Sequence, residues 1–139
     1  MTKSAVWNNL SYKRAVLAEY KEKLKQLNEK ESALQAFSAQ VNTKTDGFRH
    51  NIGSRKTKLS NVEPLKATVK CAKQYQSKMN SMLTGTDYQA IATSIGTLQS
   101  TIGTELKTLQ NSKLALEEAI HSLGVSITNL QEKYDQMED

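Results

Sequence analysis

This chain is poor in the residues that punctuate or staple a fold. It has one proline (Pro64), one cysteine (Cys71), one tryptophan (Trp7) and two phenylalanines (Phe37 and Phe48). A lone cysteine excludes an internal disulfide, which fits a reducing compartment or a secreted protein that does without bridges. Aromatic residues make up 6% of the chain and hydrophobic residues 37%, too thin a supply for a thick globular core. An amphipathic helix needs only an apolar stripe, so the composition suits helices packed side by side. One proline and six glycines leave few forced breaks, and long helices are allowed. No run approaches the ~18 consecutive apolar residues of a membrane span, so membrane insertion is not expected. The opening Met1-Thr2-Lys3-Ser4-Ala5-Val6-Trp7 lacks the apolar centre of a signal peptide. The expected location is the cytoplasm, or co-secretion without a cleaved signal.

The formal charge of +5 is unevenly spread. Residues 1–83 carry 16 Lys/Arg against 6 Asp/Glu, whereas residues 84–139 carry 3 against 8. Opposite signs favour one half folding back along the other, and equally suit an acidic and a basic partner.

Helical periodicity dominates the first segment. Leu10, Leu17, Tyr20, Leu24, Leu27, Leu34 and Val41 fall on alternating steps of three and four, with gaps at Lys13, Glu31 and Ser38. That is a heptad seam, and it predicts a helix over 4–42. The stepping continues through Thr45, Phe48, Ile52 and Leu59, but Asn42-Thr43-Lys44-Thr45-Asp46-Gly47 and Gly53 weaken helix propensity. Either a turn lies near 43–47, or one weakened helix continues. A second helical stretch over 48–83 is expected to break near 61–64. There Asn61 could cap a helix with Pro64 in its first turn, where a missing N–H costs nothing. Leu65, Val69, Ala72, Met79 and Leu83 would form its stripe.

Thr84-Gly85-Thr86 reads as a turn, with Gly85 after a helix end and Thr86 and Gln89 as a capping box. A last helix over 87–137 would span roughly 75 Å if unbroken. Its seam runs through Tyr88, Ile91, Ile95, Leu98, Ile102, Leu106, Leu109, Leu116, Ile120, Leu123, Ile127, Leu130, Tyr134 and Met137. The consecutive four-residue steps 98–102–106 form a stutter. Gly96 and Gly103, seven apart, share one side of this helix. They read either as a small face for close approach of another helix or as a tolerated weakness of roughly 1 kcal/mol each.

No catalytic, cofactor-binding or metal-binding constellation is present in the pattern. His50 and His121 lack a second His or Cys at ligand spacing. Glu117 and Glu118 are adjacent and point in different directions on a helix, so they are not an acid–base pair. An enzyme is not expected. The basic middle, densest at Arg55, Lys56 and Lys58, could bind phosphates, but aromatic interleaving and a docking motif are lacking, which disfavours nucleic acid. Cys71 reads as a small residue on a partly buried helix face.

Two long helices, a turn and an acidic tail ending in Tyr134-Asp135-Gln136-Met137-Glu138 resemble the helical hairpins of type VII secretion, the WXG-like proteins. Within that group the chain looks most like the small helical proteins that accompany LXG toxins. The run Tyr134 to Glu138 matches the family's Tyr-x-x-x-Asp/Glu export signal, whose two residues can share one helix face at i and i+4. A seam tyrosine followed by a solubilising tail is the alternative. The Trp-x-Gly turn of the family is absent: Trp7 is followed by Asn8-Asn9, and the chain carries an extra middle segment.

The expected fold is therefore all-α: a single elongated antiparallel helical hairpin, coiled-coil-like, with a helical middle segment. Leu17, Leu24, Leu27, Leu98, Ile102, Leu109, Leu116, Ile120 and Leu123 should be buried internally or by a partner. The resemblance implies a targeting chaperone or adaptor that binds a toxin's helical N-terminal domain, with a second small helical protein as a further partner. A self-associating coiled-coil scaffold is the alternative role.

Overall fold

The computed structural model describes residues 1–65 and 69–138, and these are almost entirely helical, with no strand among them. Three helices follow in order: α1 (Lys3–Ser60), α2 (Lys70–Thr84) and α3 (Thr86–Gln136). The all-α hairpin expected from the heptad stepping is the observed fold.

Thr2 starts α1. Its hydroxyl accepts from the Ala5 N–H at 3.1 Å and its carbonyl from the Val6 N–H at 3.0 Å, satisfying donors that a helix start leaves bare. The weak stretch at 43–47 does not break the helix, so no boundary lies between 42 and 48. The Thr43 and Thr45 hydroxyls donate back to the Ala39 and Val41 carbonyls at 3.0 and 2.7 Å, which keeps both groups paired within the helix. Thr45 is also buried. Tertiary cover here outweighs local propensity.

The expected break near 61–64 is present in a different form. Asn61 and Val62 make a turn, Glu63–Leu65 is one 3-10 turn containing Pro64, and α2 begins only at Lys70. Asn61 thus caps no helix, and part of the expected first turn (residues 66–68) lies outside the described residues. Leu65 and Val69 precede α2 and are exposed, whereas Ala72 and Leu83 are buried on its inner side. Cys71 is exposed rather than partly buried, its neighbour Ala72 taking the inner position.

Gly85 separates α2 from α3 with φ −83°, so it is not a left-handed cap. Its requirement is steric: a Cβ there would overlap the Ser81 carbonyl oxygen. The Gly85 carbonyl accepts from the Gln89 N–H at 3.0 Å, and Thr86 is the first residue of α3. Gly85 therefore takes the cap position that the capping-box reading gave to Thr86.

The chain forms two compact units. The first joins residues 1–35 to the chain from Glu105 onward, and the second is Ala36–Thr104. In the first, α1 and α3 run antiparallel: Trp7 meets Tyr134, Arg14 bonds Gln131 and Glu31 meets Lys113. In the second, Asn42 bonds Gln99 and Phe48 stacks on Tyr88, again in antiparallel order, with α2 beside the end of α1.

Candidate helix-docking surface

Two of the three polar gaps in the α1 seam, Lys13 and Glu31, have partners on α3. Lys13 donates to the Ser126 hydroxyl at 2.7 Å, and Glu31 lies 3.1 Å from the Lys113 ammonium. Position 113 is itself a gap in the α3 ladder, between Leu109 and Leu116. The Glu31 and Lys113 side chains are only 16% and 22% exposed. The ammonium meets the buried Glu31 Oε2 as a charge contact without an aligned hydrogen bond, while Gln35 Nε2 donates to Oε1 at 3.3 Å. A charged pair in an apolar seam helps fix which residues face each other, because a slip leaves each charge against hydrocarbon.

The seam is covered on one side only. Leu17, Leu24 and Leu27 on α1 and Leu109, Leu116, Ile120 and Leu123 on α3 are half-buried. Ile102 is buried, whereas Leu98 stays 39% exposed. Two helices in contact can bury only the sides that face each other. The flanks of each stripe remain in water, and Leu114 and Val125, on the back of α3, are exposed as well.

An exposed apolar area lies in the second unit. Phe37, Val41, Thr45 and Phe48 of α1 and Ile91, Ile95 and Leu98 of α3 line an open groove of about 900 Å³. Phe37 and Ile91 remain 45% and 46% exposed. The Phe48–Tyr88 pair, with centroids 5.9 Å apart and planes within 16°, extends this apolar surface, and the Lys56 ammonium lies 5.5 Å above the Tyr88 ring. The heptad ladder missed Phe37, which falls between steps; its signal was a large aromatic one position before Ser38, on the flank of the seam.

Gly96 and Gly103 are exposed, and a Cβ at either would meet nothing within 4 Å. Tyr134 is half-buried against Trp7 at 5.4 Å, with the Lys3 ammonium 5.0 Å from its ring. Helix α3 ends at Gln136, one residue short of the expected 137, and its last turn tightens through a bond from Met137 N–H to the Tyr134 carbonyl at 3.2 Å. Glu138 lies beyond the helix and is exposed, so Tyr134 and Glu138 do not share a helical face as their spacing suggested.

Of the basic cluster, Arg55 and Lys58 are exposed, while Lys56 also lines a polar cleft of about 600 Å³ with Ser60, Glu63, Lys73 and Gln76. Gln76 Nε2 donates to Glu63 there at 2.6 Å. His50, His121, Glu117 and Glu118 are exposed, and no group of three His, Cys, Asp or Glu able to hold a metal occurs among the described residues. No helix among them is long and apolar enough to cross a membrane. The chain matches no protein-family model, no curated protein and no solved structure.

Proposed function

We propose that this protein is a non-catalytic helical adaptor that docks along the helical N-terminal domain of an LXG toxin and accompanies it into type VII export. The observation that carries the reading is the seam covered on one side. Phe37 on α1 and Ile91 and Leu98 on α3 keep apolar surface in water beside the seam. Exposed apolar surface of this kind marks a protein-interaction face, and helices laid alongside would complete the bundle.

The export half of the proposal rests on the Tyr-x-x-x-Glu spacing of Tyr134 and Glu138, although the two do not share a helix face. Tyr134 is held by the only tryptophan of the chain, and Glu138 projects free beyond the helix. The adaptor would present this aromatic pair and carboxylate to the secretion machinery while its seam is occupied by cargo.

Glu138→Ala is the cleaner export test, because Tyr134 also packs on Trp7. The variant is expected to leave co-purification with the toxin intact while lowering the secreted amount. Unchanged secretion with an intact complex would remove the role given to Glu138. Failure of the unaltered protein to co-purify with any toxin would remove the adaptor role itself. The same half-covered seam would also serve a self-associating scaffold, for which a stable homo-oligomer independent of toxin is the expected finding.

A further inference from the structure

We infer that the groove between α1 and α3 in the second unit is a docking site for an acidic amphipathic helix of about three turns. Its walls are Phe37, Val41 and Phe48 on one helix and Ile91, Ile95 and Leu98 on the other. Along α1 the groove runs from Phe37 to Phe48, about 16 Å at the helical rise, which sets the length of the occupant. Two helices flanking an open apolar groove offer a third helix the place where its i, i+3, i+4 and i+7 side chains would sit.

Charge selects the occupant. Among the described residues, Lys44 is the only charged one lining the groove. Lys56 lies over the Tyr88 ring that stacks on Phe48. Across residues 36–104 the sequence holds nine Lys/Arg against three Asp/Glu, while the rest of the chain holds ten against eleven. A second copy docked groove to groove would set two units of net positive charge together, each with Lys44 at its groove, which like-charge repulsion opposes. An acidic helix gains from the same field, through faster encounter and a paired rim. The Thr45 hydroxyl, already bonded to the Val41 carbonyl, needs no partner from the occupant.

The inference rests on the adaptor reading only in expecting the occupant to come from another protein, and its test separates the two. A labelled helical peptide of about 18 residues, Leu at the i, i+3, i+4 and i+7 positions and Glu elsewhere, is titrated with the full chain by fluorescence anisotropy. The same peptide with Lys for Glu is the charge control. Saturable binding of the acidic peptide alone is expected, weakening with added salt. Phe37→Glu/Ile91→Glu is expected to weaken it about tenfold or more. Met82→Glu, an exposed change in the same unit, should leave it within about twofold. Equal binding of both peptides, or binding indifferent to Phe37→Glu/Ile91→Glu, would overturn the inference. So would a dimer of the chain alone that Ile91→Glu dissociates, which assigns the groove to a second copy. A toxin complex that survives the double substitution would overturn the groove and keep the adaptor. Peptide binding without any toxin complex in cells would keep the groove and remove the adaptor.

Discussion

Replacing Lys113 by Met tests whether the polar pair fixes how α1 and α3 face each other. Methionine keeps the length and helix propensity of lysine, so the change removes charge and little else. Glu31 then remains in the seam with its carboxylate only 16% exposed and its cation gone. Breaking a fully buried pair from one side costs about 3–5 kcal/mol. The partial exposure of both partners lets water reach the orphaned carboxylate, which lowers the expected loss to about 1.5–3 kcal/mol. Glu31→Leu/Lys113→Met removes both charges and supplies hydrocarbon, and should return stability to within about 1 kcal/mol of the parent or above it, with Glu31→Leu as the other single variant. Urea unfolding followed by circular dichroism gives all four corners of the double-mutant cycle, at one protein concentration. The reasoning fails if Lys113→Met costs less than about 0.5 kcal/mol, or if the double change costs the sum of the two single ones.

Three further outcomes follow from the geometry. Gly85→Ala should cost about 1–2 kcal/mol, because the new methyl collides with the Ser81 carbonyl, whereas Gly96→Ala and Gly103→Ala should each stabilise the free chain by about 0.5–1 kcal/mol; thermal unfolding of the three variants gives the order, and a stabilised Gly85→Ala would contradict it. Ile102→Ala should lose about 2–4 kcal/mol and Leu98→Ala less than about 1 kcal/mol, since one side chain is 5% exposed and the other 39%, an order that urea midpoints check. Tyr134→Ala should bare one face of the only tryptophan, shifting Trp7 emission to the red and raising its quenching by iodide, while Tyr134→Phe leaves both near parent values.

The helical hairpin was readable because apolar steps of three and four survive along nearly the whole of α1 and α3. Where local chemistry and periodicity disagreed, at 43–47, periodicity won. Thr45 is buried there and the Asn42 side chain accepts from Gln99 on α3, cover that propensity does not register. The gaps at Lys13, Glu31 and Ser38 looked like faults in a seam. Lys13 and Glu31 have polar partners, visible only once α3 is laid antiparallel and Ser126 and Lys113 come opposite. The groove was hidden for a different reason. Phe37 lies off the ladder, and a rule that follows one stripe per helix does not see the flank where two stripes leave a third place open. At the C-terminus, spacing put Tyr134 and Glu138 on one face, but the helix ends between them.

The central claim is that this seam is completed by helices of another protein. Native mass spectrometry of the tagged full chain, isolated gently from its own cells, tests it most directly. The account predicts a stoichiometric complex with a larger protein whose N-terminal domain is helical. A homodimer or larger homo-oligomer carrying no second protein would contradict it.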